Sequence, residues 1–170
     1  MPEFIVELEQ CIPALRRYAY SLLYQQDQAD DLVQDCLERA INKKQLWQPG
    51  TSLRAWLFTM QHNLYVNHLK KLGRQPQMTA EIEQLTHELE PHKSDILIQD
   101  IDFCMQQLPE EQRQVLLLVS VEGFSYKEIS KIIDIPLGTV MSRLSRARKT
   151  LQALMNGETS PSQTVLRSVK

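Results

Sequence analysis

The segment Phe124-Ser-Tyr-Lys-Glu-Ile, with the residues that follow it to Lys149, constrains this chain more than any other stretch. Ser125 and Glu128 have the spacing of a reciprocal cap. The serine hydroxyl can accept from the backbone N–H three residues on, and the glutamate can reach back to the serine N–H, so a helix is predicted to start there. It turns Ile129 and Ile132/Ile133 inward and stops at Asp134-Ile135-Pro136. Pro136 suits the first turn of a following helix, where a missing N–H costs nothing. Two helices joined by so tight a turn predict a helix-turn-helix.

The second of these helices has two chemically different faces. At about 100° per residue, Val140, Leu144, Ala147, Leu151 and Leu154 fall along one line. Gly138, Ser142, Ser145, Arg146 and Lys149 lie near the opposite side, with Met141 and Arg148 on one edge and Arg143 on the other. Small side chains let a helix approach a major groove closely, and arginine can make paired hydrogen bonds to guanine or hold phosphate. A cationic run alone is usually a solvated face. Here the cap, the tight turn and a stretch free of acids from 138 to 150 coincide, which points to DNA binding through Ser142, Arg143, Ser145, Arg146, Arg148 and Lys149.

A net charge of −2 conceals this patch. Residues 1–72 balance eight basic against eight acidic side chains, residues 73–95 carry two against five, and residues 96–170 carry nine against eight. A phosphate backbone responds to the local surplus and not to the average.

The rest of the chain reads as helical. It has only five glycines, and Leu, Ile, Gln, Glu and Lys are frequent. Ile5, Leu8, Ile12, Leu15, Ala19 and Leu22 recur at helical spacing, with Pro13 expected either to kink this helix or to start a second segment. Asp27 is the expected N-cap of the next helix, with Leu32/Val33, Cys36/Leu37 and Ala40/Ile41 inward and Asp31, Gln34, Asp35 and Glu38 outward. After a turn at Gln48-Pro-Gly-Thr-Ser52, Ser52 can cap a long helix to about Lys71. Leu53, Trp56/Leu57, Met60, Leu64 and Asn67 form its apolar line, which leaves Phe58 and Tyr65 as candidates for the surface. Aromatic side chains beside Arg54, His62, Asn63, His68, Lys70 and Lys71 suit a surface that stacks on unpaired bases.

These helices predict one small bundle over 1–72 and a second over 96–156. The polar, acidic stretch 73–95, punctuated by Gly73, Pro76 and Pro91, reads as a flexible linker with a short helix near 79–89. Residues 157–170 read as a disordered tail. The fold class is thus all-α, with two small helical domains. Cys11, Cys36 and Cys104 are expected to be buried reduced thiols, and no spacing suits a metal. No glycine-rich phosphate loop and no nucleophile with a base is evident, so neither catalysis nor a cofactor is expected. With no run of about 18 apolar residues and no basic signal sequence, the chain is expected to remain in the cytoplasm without membrane insertion.

Five stretches together resemble a known family: Asp-Asp-Leu-Val-Gln-Asp-Cys-Leu-Glu-Arg-Ala (30–40), Leu-Arg-Ala-Trp-Leu-Phe-Thr-Met-Gln-His-Asn-Leu (53–64), Leu-Pro-Glu-Glu-Gln-Arg-Gln-Val-Leu-Leu-Leu (108–118), Phe-Ser-Tyr-Lys-Glu-Ile (124–129) and Leu-Gly-Thr-Val-Met-Ser-Arg-Leu-Ser-Arg-Ala-Arg (137–148). In order, they resemble the signatures of extracytoplasmic-function (ECF) RNA polymerase sigma factors. Ile-Pro-Ala-Leu-Arg-Arg-Tyr-Ala (12–19) and the 48–52 turn look most like the general-stress-response branch.

The resemblance implies that residues 1–72 are sigma region 2 and residues 96–156 are region 4. The outward face of 30–39 would dock on the β′ clamp coiled coil of core polymerase. The 46–52 turn and the 53–71 helix, with Arg54, Phe58, His62, Asn63, Tyr65, Lys70 and Lys71, would melt the −10 promoter element, Asn63 lying with the turn at the pocket for a flipped base. The 137–152 helix would read the −35 element, and an anti-sigma factor would be a further partner. Met141 departs from a position where relatives often carry a basic residue, and Ser145 from one where a larger side chain can stand. The competing readings are a sigma-mimicking regulator that sequesters an anti-sigma factor, and a simple helix-turn-helix repressor. The cationic face argues against the first, and the acidic and aromatic helices of the N-terminal half argue against the second.

Overall fold

A computed structural model describes residues 2–74 and 93–157; the expected linker helix near 79–89 and the expected tail lie outside them. The described residues are helical, with no strand among them: α1 (Pro2–Leu23), α2 (Gln26–Asn42), a 3-10 turn (Lys44–Leu46), α3 (Leu53–Arg74), α4 (Lys93–Gln107), α5 (Glu110–Ser120), α6 (Tyr126–Ile132) and α7 (Leu137–Met155).

Helix α1 runs unbroken through Pro13. Pro13 and Glu9 are both exposed, so the carbonyl that loses its intrahelical donor faces water. The buried stripe of α1 is Leu8, Cys11, Leu15, Tyr18, Ala19 and Leu22, while Ile5 stays largely exposed. Tyr24, at φ 53°, makes the sharp turn into α2. The N-cap of α2 is Gln25 and not Asp27, which sits in the first turn, where its charge meets the positive end of the helix dipole. Leu32, Val33, Cys36 and Ala40 face inward as the period predicts, whereas Ile41 is 48 % exposed.

Ser52 caps α3, its hydroxyl accepting from the Ala55 N–H at 3.1 Å. The turn before it closes through the Thr51 N–H on the Gln48 carbonyl and a glycine at φ 88°, Gly50, a conformation other residues rarely adopt. Trp47 anchors this turn against Phe4, 5.7 Å between ring centroids.

In the second bundle Leu108-Pro109 separates α4 from α5, and Gly123, at φ 70°, ends the turn into α6. The cap at Ser125 forms as its spacing predicts: Ser125 N–H donates to Glu128 Oε2 at 2.8 Å, and Glu128 N–H donates to Ser125 Oγ at 3.3 Å. Asp134 takes the left-handed position between α6 and α7, at φ 53°, which a short polar side chain tolerates. Val115, Leu118, Ile129, Ile132, Val140 and Leu144 are the fully buried centre of this bundle. The two bundles lie against each other, α5 and α6 covering α1 and α3.

Candidate nucleic-acid interface

Helix α7 lies on its apolar face, with Val140, Leu144 and Ala147 buried, and this turns the opposite side outward. Gly138, Met141, Ser145, Arg146, Arg148 and Lys149 are exposed on it. Ser142 is half-buried, its hydroxyl donating to the Thr139 carbonyl at 3.1 Å. Arg143 departs from the expected DNA face: its side chain turns back to α5, 3.5 Å from Glu111, and is only 22 % exposed. Asp31, Gln34, Asp35 and Glu38 all stand exposed on α2.

Helix α3 corrects the sequence reading most. Asn63, Lys70 and Lys71 are exposed, but Phe58, His62 and Tyr65 are buried and Arg54 is half-buried. Phe58 packs between Tyr18 of α1 and Phe124 of the second bundle, at 5.4 and 4.9 Å between centroids. Tyr65 hydrogen-bonds the Glu110 carboxylate, and burial together with that acceptor raises its hydroxyl above the ordinary phenol range. Burial pushes the His62 imidazole down to about 4, so it is neutral at pH 7. Trp56, Met60 and Leu64, on the line expected to be buried, are half-buried against the core. The stripe Arg54, Phe58, Gln61, Tyr65 contains polar residues at helical spacing and imitates a solvated face. Gln61 is wholly buried, its amide N–H donating to the Leu15 carbonyl at 2.9 Å.

The groove beside the 46–52 turn is walled by Phe4, Val6, Trp47, Pro49 and Gly50. Asn63, expected near it, is not part of that wall; ten residues of helix set it about 15 Å along α3 from Leu53.

Sequence reasoning missed Glu122, which joins the bundles. Its carboxylate is 1 % exposed and accepts from Arg17 Nε and Nη2, each at 3.0 Å, and from Arg54 Nη2 at 2.7 Å. Arg54 also donates to the Glu122 backbone carbonyl at 2.8 Å, its guanidinium carbon 4.4 Å from the Phe124 ring centroid. Arg113 of α5 lies over the Tyr24 ring at 5.3 Å. An acid in a turn beside glycine reads as solvated, and no local pattern marks its distant partners.

All three cysteines are free and buried, and burial lifts the Cys36 thiol to about 12. Among the described residues no cluster of His, Cys, Asp and Glu could hold a metal ion, and no helix is long and apolar enough to cross a membrane.

Two family models match: the sigma2 domain of PhyR over residues 8–62 and sigma-70 region 4 over residues 98–151. The ECF RNA polymerase sigma factor EcfG of Rhodopseudomonas palustris is 37 % identical over 145 residues, covering 85 % of this chain and 80 % of that protein. This chain is an ECF sigma factor. Its resemblance to EcfG and to PhyR agrees with the general-stress-response branch. The crystallised sigma factor RpoE of Bartonella quintana, in complex with the anti-sigma factor NepR, is 33 % identical with a TM-score of 0.75, covering 94 % of this sigma factor and 100 % of that chain. The anti-anti-sigma factor PhyR of the same organism, crystallised with NepR, shares the fold at 19 % identity and a TM-score of 0.56, over 86 % of this sigma factor and 48 % of PhyR. Sigma factors are not an enzyme family.

Proposed function

We propose that this sigma factor binds core RNA polymerase and directs it to promoters carrying −10 and −35 elements, with α7 as the reader of the −35 element. The observation that carries this reading is the exposed face of Ser145, Arg146, Arg148 and Lys149 on a helix held by its apolar side, with Ser142 between them. Small and cationic residues on such a face suit the major groove. Residues 1–72 act as region 2 and residues 96–156 as region 4. The exposed acids Asp31, Asp35 and Glu38, with Gln34, dock on a basic surface of core polymerase. The 46–52 turn with its groove, together with Asn63, Lys70 and Lys71 on α3, engages the opened −10 strand. Arg54, Phe58, His62 and Tyr65 belong to the packing that supports that surface in the form seen here. The protein works in the cytoplasm, where the polymerase is, and carries no catalytic activity of its own.

An anti-sigma factor is the proposed inhibitor, as NepR is in complex with the Bartonella relative. A sigma-mimicking role is the second reading, because the N-terminal bundle matches the sigma-like domain of PhyR. Run-off transcription with core polymerase on the fragment upstream of this protein's own gene separates the two. A specific transcript is expected; binding to core without a specific transcript from any genomic fragment favours the mimic.

A further inference from the structure

We propose that Glu122 is the latch of a reversible closed state, in which region 4 lies on the Arg17/Arg54 face of region 2, and that promoter engagement requires its release. The promoter part of this inference rests on the −10/−35 reading above; the latch itself does not.

Four hydrogen bonds between the bundles converge on one residue, Glu122. The Glu122 carboxylate is inaccessible to water, while the side chains of Arg17 and Arg54 are 50 % and 34 % exposed. A buried carboxylate is tolerated only when paired, and two guanidiniums at 2.7–3.0 Å pair it fully. Around it stand the Phe58–Phe124 contact and the Arg113–Tyr24 contact. The buried side chains of the two bundles run together through Phe58 and Phe124, and beside that contact the interface is charged, as interfaces are between domains that move apart.

Geometry makes the separation necessary. Elements named −10 and −35 lie about 25 base pairs apart, roughly 85 Å at about 3.4 Å per base pair. A compact chain of this length has a radius of gyration of roughly 15–16 Å, hence a diameter of about 40 Å. The closed form can therefore meet one element at a time. The α7 face is already outward, so it is the Arg17/Arg54 side that waits. Two guanidiniums that converge on one carboxylate also fit a phosphate, so the DNA backbone is the chemical competitor that can replace Glu122.

Small-angle scattering on the full chain, without DNA or polymerase, tests the latch. The wild type should scatter as a compact particle. Glu122→Gln, which keeps the shape and loses the charge, should raise the radius of gyration by about a quarter or more with helicity unchanged by circular dichroism. The double variant Arg17→Gln/Arg54→Gln, altered only at partly exposed side chains, should expand equally and covers the case in which Glu122→Gln fails to fold. In run-off transcription at limiting sigma, Glu122→Gln should give several-fold more transcript than the wild type. An extended wild type, or a Glu122→Gln protein (the double variant, if that one does not fold) as compact as the wild type, overturns the latch. Expansion with no gain in transcript overturns its control of promoter engagement. A wild type and variant both silent on every promoter, yet differing in scattering, would indict the promoter reading and leave the latch standing.

Discussion

Phe58 and Phe124 meet edge to face, their centroids 4.9 Å apart, where the core of the first bundle runs into that of the second. Both rings are buried, and Arg54 lies over both, 5.2 Å from one centroid and 4.4 Å from the other. Aromatic pairs in this geometry add about 0.5–1.5 kcal/mol to the stabilisation from burial alone.

Phe124→Ala should therefore destabilise the protein by about 3 kcal/mol, the usual cost of emptying a buried phenylalanine site. Phe124→Leu should cost only about 1 kcal/mol, because it keeps most of the volume. Urea unfolding followed by circular dichroism checks both. If the bundles unfold together in the wild type, Phe124→Ala should also split the transition in two. A loss below about 0.5 kcal/mol for alanine would mean that the two cores are not joined here.

His62 should make the protein acid-sensitive. Its imidazole is held down to about 4 by burial, against an ordinary value of 6.5. Between these values the unfolded chain takes up a proton that the folded chain refuses. The stability contributed by neutral His62 is thus complete above about pH 6.5 and is lost as pH falls towards 4, by at most roughly 3 kcal/mol at about 1.4 kcal/mol per pH unit. His62→Gln, a neutral side chain at every pH, should flatten that part of the slope. Urea midpoints of both proteins at pH 7, 6 and 5 supply the comparison, and parallel curves would exclude the imidazole as the cause.

Where a residue's neighbours are local, the sequence was legible. The Ser125–Glu128 cap spans three residues, and the buried line of α7 follows from one period, so both were read correctly. Helix α3 was not, because it is covered on more than one side, by α1 and α2 and by α6. One of its covered stripes contains Arg54 and Gln61, polar groups whose hydrogen bonds run to Glu122 and Leu15, 68 and 46 residues away along the chain. A polar stripe covered by distant elements has the same sequence signature as a wet one. Arg143 shows the same limit on a smaller scale: its angle on α7 allowed either the groove or Glu111, and the neighbouring helix decided.

Core docking should depend on the acidic side of α2. Asp31 and Asp35 are both exposed, so Asp31→Lys/Asp35→Lys should leave helicity and thermal midpoint close to the wild type. Its affinity for core polymerase should fall at least about tenfold, since reversed charges meet a basic surface with repulsion. Fluorescence anisotropy with labelled sigma and core polymerase measures it, and an unchanged Kd would remove α2 from the docking surface.

Helix α7 should hold DNA by two energetically different contacts. Arg146 lies near the centre of the exposed face, with Ser142 and Ser145 around it, and can reach base edges; Arg148 lies at its side, and Lys149 is long enough to reach the backbone. Arg146→Ala should cost about 1–3 kcal/mol on the preferred −35 duplex and blunt discrimination against a scrambled one. Arg148→Ala and Lys149→Ala should weaken both duplexes alike, each lowering the slope of log affinity against log salt by about one. Arg143→Ala should leave DNA affinity nearly unchanged, because its guanidinium is turned to Glu111 and away from the face. A fluorescence titration of region-4 binding across a salt series, with both duplexes, reads all four variants. Equal loss on both duplexes for Arg146→Ala would mean that this helix grips the backbone without reading sequence.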